Sequence, residues 1–169
     1  MKHVNLYLLK AMDYYPCNME EAIQSIQYAL SYNDQNPHTL LLAGRMYAEI
    51  FQDQGEAIKY YEDALAADMD AVKVYPYLID AYLETGEFEK AERLIDFAMK
   101  IKALEKSIIV SKKIKWLEMQ GEFAKASKLL DLLRLELYDN DWKSWLEETE
   151  ARLKSKKEIT KKWKKKLSM

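Results

Sequence analysis

Four alanines set the period of this chain. Ala22, Ala57, Ala91 and Ala126 are separated by 35, 34 and 35 residues. Each stands in a similar short segment: Asn18-Met19-Glu20-Glu21-Ala22-Ile23, Gln54-Gly55-Glu56-Ala57-Ile58, Glu87-Phe88-Glu89-Lys90-Ala91 and Glu122-Phe123-Ala124-Lys125-Ala126. Four residues after each alanine comes a larger apolar residue (Ile26, Tyr61, Ile95, Leu130), and seven after comes Ala29, Ala64, Ala98 or Leu133. Apolar side chains at i, i+4 and i+7 line one face of a helix. A unit of this length cannot bury that face alone, so the period constrains the chain to neighbouring like units that bury it for one another.

A second amphipathic segment lies upstream of each of the last three alanines. His38 to Gln52 reads Leu40-x2-Ala43-Gly44-x2-Tyr47, Val72 to Thr85 reads Tyr75-x2-Leu78-Ile79-x2-Tyr82, and Ile108 to Met119 reads Val110-x2-Lys113-Ile114-x2-Leu117. Gly86 and Gly121 close two of these segments, as expected of a residue that takes positive φ without strain at a helix C-terminus. Asn36 offers an N-cap, with Pro37 at the first helical position. Pro76 falls within or just beyond the first turn of its helix, where a missing N–H matters least, so a late start or slight kink is expected there.

This skeleton resembles the tetratricopeptide repeat, whose period is 34 residues. Pro37 to Met69 is the best copy, with Leu40, Gly44, Tyr47, Ala57, Tyr61 and Ala64 on motif positions, although it needs a one-residue insertion near Gln52-Asp53-Gln54. Val72 to Lys102 keeps Tyr82, Gly86, Phe88, Ala91 and Ala98 but has Ile79 at the small position. The fourth unit keeps Gly121, Phe123 and Ala126 but carries Lys113 at an apolar position and Ile114 at the small one. In the first unit Ala11, Tyr14 and Ala22 fit only with a deletion, and Pro16 sits in its turn. The resemblance implies an all-α fold: a right-handed superhelical stack of about four antiparallel helix pairs, an α-solenoid. Its units fall at about 1–35, 36–70, 71–104 and 105–138, with residues 139–169 as a C-terminal capping helix and lysine-rich tail. Small residues such as Gly44 are expected to bring two helices close, and Ile79 and Ile114 to hold theirs slightly further apart.

Composition agrees with helices and narrows the function. Four Gly and three Pro among 169 residues are too few to punctuate a many-stranded sheet. The net charge of −2 hides an asymmetry: residues 152–169 carry nine Lys or Arg and one acid, Glu158, which leaves −10 on the remainder. Cys17 is the only cysteine, so no intrachain disulfide forms, and a reducing, cytoplasmic location is expected. No stretch is apolar for long enough to predict a membrane span or a signal peptide.

In the last segment Asn140 or Asp141 offers an N-cap, and Trp142, Trp145, Leu146, Thr149 and Leu153 predict a helix whose first half covers the fourth hairpin. Ile159, Trp163 and Leu167 continue a sparse apolar stripe among lysines. That half is read first as a solvating helix end, then as a contact for an acidic partner, with nucleic acid or membrane last.

The sequence contains no HExxH, CxxC, GxSxG or phosphate-loop motif, and His3, His38 and Cys17 are read as surface residues without catalytic duty. No enzyme activity, cofactor, metal or small-molecule substrate is therefore expected. The resemblance instead implies a protein-binding scaffold whose first helices line a groove through their second, fifth, ninth, twelfth and thirteenth motif positions. Carried over, these are His38, Leu41, Arg45, Ala48 and Glu49; Lys73, Pro76, Asp80, Leu83 and Glu84; and Ile108, Ser111, Lys115, Glu118 and Met119. Leu8, Met12 and Tyr15 join them from the first unit. Relatives that hold chaperone C-termini use Lys, Arg and Asn at the fifth and ninth positions. Here those are Leu41/Arg45, Pro76/Asp80 and Ser111/Lys115, so that clamp is not carried over. The expected partner is another protein or peptide, with apolar and charged anchors. The alternative is self-association through the C-terminal helix into a homo-oligomer; a nucleic-acid accessory role through the basic tail ranks behind both.

Overall fold

The structure, a computed structural model, describes residues 5–137 and 141–167. Those residues form helices and no strand: α1 (Leu6–Tyr14), α2 (Met19–Tyr32), α3 (Pro37–Glu49), α4 (Gln54–Ala67), α5 (Val74–Thr85), α6 (Phe88–Ala98), α7 (Lys106–Met119), α8 (Phe123–Glu136) and α9 (Lys143–Leu167). The architecture is an all-α repeat. His3 and Asn140, considered above, lie outside the described residues.

Side-chain amides and a carboxylate start the first four helices. Asn5 accepts from the Tyr7 and Leu8 N–H groups, Asn18 from Glu21, Asn36 from His38 and Thr39, and Asp53 from Glu56. Each satisfies backbone donors that a helix start leaves without intrahelical partners. Pro37 is the first residue of α3, and Pro76 is the third of α5, so neither removes a ladder hydrogen bond. At the C-terminal ends Gly86 (φ 79°) and Gly121 (φ 76°) are left-handed. The reversal lets Glu87 N–H donate to the Tyr82 carbonyl at 2.8 Å and Glu122 N–H to that of Leu117 at 2.9 Å. Between α3 and α4, at the expected insertion, Gln52 takes φ 54° without being glycine. Its Nε2 donates to the Glu49 carbonyl at 2.8 Å, which helps hold that turn.

The chain divides into two compact units, residues 1–91 and 92–169. In the first, α1 packs on α2, α3 on α4, and α4 on α5, while α3 also touches α1 and α5. One cluster of its core joins Leu8, Ala11, Ala22, Ile26 and Ala29 to Leu42, Ala43 and Met46. The tightest seam is between α3 and α4. A Cβ built on Gly44 would run into Tyr61 Cε1 and stand 2.7 Å from its Cδ1, closer than side-chain carbons pack. The Tyr61 ring is 1% exposed and has nowhere to go. A glycine at the small motif position is thus what allows a full aromatic ring in this seam.

In the second unit α7 packs on α8 and α8 on α9. Val110, Ile114, Leu117, Ala126, Leu130 and Leu133 share one core with Leu146 and Leu153, so the last helix belongs to the body of this unit. Trp142 and Trp145, ring centroids 5.4 Å apart and edge to face, close over it. Ile114, standing where Gly44 does, is itself fully buried in this core. Lys113, the cation at an apolar motif position, is accommodated because its Nζ reaches Asp96 Oδ1 at 2.9 Å at the surface. Helix α9 starts at Lys143, and Leu146 N–H donates to the Trp142 carbonyl at 2.9 Å.

The periodic positions behave as one set. The four aligned alanines are fully buried, and Ile26, Tyr61, Ile95, Leu130, Ala29, Ala64, Ala98 and Leu133 are all buried with them.

Candidate partner-binding surface

In the first unit the leading helices of three hairpins touch one another, α1 against α3 and α3 against α5. Arg45, at the ninth motif position of α3, stands between two tyrosines. Its guanidinium carbon is 4.9 Å from the centroid of the Tyr15 ring and 5.2 Å from that of Tyr77. Its Nε is 3.0 Å from Glu49 Oε1, one helical turn on, and the Tyr15 hydroxyl donates to the other oxygen of the same carboxylate. The Tyr77 ring in turn lies 6.0 Å from that of Tyr61. A flat cation held over aromatic faces is stabilised by the ring quadrupoles, and the Glu49 bond fixes its plane.

The electrostatics follow from this packing. Burial, reinforced by the hydrogen bond and charge of Glu49 and opposed by Arg45, pushes the Tyr15 hydroxyl up to about 12. Tyr61 is raised further, chiefly by burial. Burial works against the charge on Arg45, but the Glu49 hydrogen bond and the neighbouring tyrosines outweigh it, so the guanidinium is held more firmly protonated than usual. The Arg45 side chain keeps 29% of its surface exposed between the two rings.

Around it the positions expected to line a groove divide. His38, Glu49, Lys73 and Glu84 are exposed, and Leu41, Ala48, Pro76, Asp80 and Tyr15 are half-buried. Met12 is 56% exposed, and Glu84 accepts from Gln54 Nε2 at 2.8 Å. Leu83 is a correction: it is completely buried. Helix α5 buries Ala81, Tyr82 and Leu83 in succession, so it is enclosed around most of its circumference and the family's twelfth position is not a surface position here. Leu8 is buried as well, within the α1–α2 core.

In the second unit Ile108 and Lys115 are half-buried and Met119 is exposed. Ser111 is a further correction, since it is buried with its hydroxyl donating to the Ile108 carbonyl at 2.7 Å. Glu118 is buried too and turns to α9 instead of outward. Arg152 grips it with Nε to Oε1 at 2.8 Å and Nη2 to Oε2 at 3.0 Å, and Lys156 Nζ lies 2.8 Å from Oε1. Burial alone would raise this carboxyl, but the bonds from Arg152 and Lys156 prevail and hold it below the ordinary range. The signal in the sequence is the pair Arg152 and Lys156, four residues apart on one face of the tail helix. Tyr77 was missed because it stands at the sixth motif position, outside the family's lining set.

A shallow cleft of about 400 Å³ opens beside the start of α8, lined by Gly121, Glu122, Phe123 and Ala124 and by Lys157, Thr160, Lys161 and Lys164 of α9. Among the described residues no group of three or more His, Cys, Asp or Glu side chains converges as metal ligands would. Among the described residues no helix is long and apolar enough to cross a membrane.

Comparison with known proteins agrees with this architecture. Residues 51–102 match the family model of the tetratricopeptide repeat. The fold is similar to the crystal structure of PilW, described as a widely conserved type IV pilus biogenesis factor, with a TM-score of 0.68. The two share 18% identity over 88% of this chain and 76% of that one, a likeness of fold alone. No curated protein matches the sequence. The tetratricopeptide match thus falls on residues 51–102, and the remaining described residues share the helical-repeat fold.

Proposed function

We propose that these helical repeats serve as a non-enzymatic scaffold whose leading helices hold a peptide or a helix of another protein. The observation that supports this most is the cluster Tyr15–Arg45–Tyr77 with Glu49, a fixed cation framed by rings on α1, α3 and α5. Rigid aromatic and arginine side chains are the residue types that dominate binding energy at protein interfaces, because they bring large contact area with little entropy left to lose. Half-buried Leu41 and Pro76 and exposed Met12 add apolar ground beside that cation. A ligand with one apolar side chain and a carbonyl or carboxylate set against Arg45 suits this surface.

The test is an affinity capture with the full-length protein in three forms: unaltered, Leu41→Asp with Arg45→Glu, and Lys59→Ala on the exposed side of α4. Partners recovered by the unaltered chain and by Lys59→Ala but lost from the double variant support the surface. Retention of every partner by the double variant would show that α3 is not where they bind.

A further inference from the structure

Residues 154–167 carry eight lysines and one acid, Glu158, and they lie in the half of α9 beyond its buried contacts at Leu146, Thr149 and Leu153. Within this stretch Ile159, Trp163 and Leu167 are 52%, 63% and 80% exposed. Spaced four residues apart, they form one ridge about 12 Å long, and Ile159 and Trp163 point about a quarter to a third of a turn away from Leu146 and Leu153. Lys162 and Lys166 flank the ridge on one side, while Lys156, on the other, is held by Glu118. Three bulky apolar side chains in solvent, bordered by cations, are not what a merely solubilising helix end requires.

Three classes of anionic partner meet a helix of this kind, and the details separate them. Every cation in residues 154–167 is lysine, a point charge without the planar fork that grips phosphates and base edges in pairs. Two of the three ridge residues are aliphatic and offer no face on which a base could stack. An acidic protein groove would meet one side of the helix, yet Lys154 and Lys165 lie on other parts of the circumference than Lys162 and Lys166. A planar anionic surface attracts all of them, because the helix is about as thick as the screening length. We propose that the lysine-rich half of α9 docks on an anionic lipid bilayer surface. Ile159, Trp163 and Leu167 enter the boundary between headgroups and acyl chains, while the lysines extend to the phosphates. The helix lies on the bilayer and does not span it, since no helix among the described residues is long and apolar enough to cross.

The experiment is co-sedimentation of the full-length protein with vesicles of phosphatidylcholine alone or of phosphatidylcholine and phosphatidylserine in equal parts. The expected result is binding to the mixed vesicles and not to phosphatidylcholine, weakening as salt rises. Replacing Lys162→Gln and Lys166→Gln should reduce partitioning about 30-fold. Ile159→Gln with Trp163→Gln should reduce it about tenfold or more at unchanged charge. All four positions are exposed, so unchanged circular dichroism is expected of both variants. Five outcomes overturn the proposal. One is no binding to the mixed vesicles at low salt, and another is equal binding to both kinds. The third is indifference to the Ile159/Trp163 pair, and the fourth is displacement from vesicles by a homopolymer RNA, which would mark a general polyanion contact. The last is a salt-sensitive dimer in the absence of lipid that Trp163→Gln dissolves, which assigns the ridge to a second copy.

Discussion

Replacing Gly44→Ala tests the link between packing and function most directly. In an exposed helix this change would stabilise by about 1 kcal/mol, because alanine restricts the unfolded backbone more than glycine does. Here the added methyl would overlap Tyr61 Cε1 and stand 2.7 Å from Cδ1, and it lies only 3.1 Å from Cζ. Since the ring is 1% exposed, the methyl can be admitted only by moving α3 away from α4. Overpacking of this kind costs about 1–3 kcal/mol and sometimes more, so the clash outweighs the propensity gain and the net loss is about 1–2 kcal/mol. For a chain of this size that lowers the melting temperature by about 2–8 °C, read by far-UV circular dichroism. Tyr61→Leu should lower stability by itself but abolish most of the Gly44→Ala penalty, giving a coupling of about 1 kcal/mol or more in the double-mutant cycle. Arg45 follows Gly44 in the chain, so the same displacement should draw its guanidinium from between Tyr15 and Tyr77 and weaken partner capture. A rise in melting temperature for Gly44→Ala, or strict additivity with Tyr61→Leu, would refute the close-approach argument.

Two further outcomes follow from the buried polar groups. Thr39 is fully buried, and its hydroxyl has no hydrogen-bond partner, the backbone N–H being taken by Asn36. Thr39→Val keeps the shape and removes that desolvated group, so the urea midpoint should rise, corresponding to about 1 kcal/mol of added stability. The Glu118 carboxyl is held below its ordinary value of 4.5, so the stability it contributes is present above that value and is lost as pH falls through the lower value of the folded state. Glu118→Gln should cost about 1–2 kcal/mol at neutral pH, discounted because Arg152 and Lys156 are about half exposed. That difference should vanish in urea titrations carried out well below pH 4.5; a difference unchanged with pH would sever α9 docking from the charge of Glu118.

How much of this was legible beforehand depends on the kind of residue. The alanine period identified a repeat and every one of its i+4 and i+7 partners as core, because an amphipathic helix can satisfy such a pattern only by burying that face. Asn36, Pro37, Gly86 and Gly121 were equally plain, since caps and left-handed turns depend on the backbone within a few residues. Surface assignments transferred from motif positions were less secure. Leu83 and Ser111 sit where the family exposes a side chain, yet in this chain neighbouring apolar residues enclose α5, and a hydroxyl satisfied by its own helix can be buried.

The period of four small residues, read along the chain, determined by itself that these helices pair and which face each one hides. Local chemistry and a one-dimensional pattern suffice for that, because both act within one helix and its next neighbour. Tertiary structure alone decided that Arg45 stands between Tyr15 and Tyr77, that Glu118 turns inward to Arg152, and that α9 joins the second core through Leu146 and Leu153. Those contacts join residues 30 or more apart, or depend on which side of a helix its neighbours leave open. Motif spacing carries no information about them until the helices have packed.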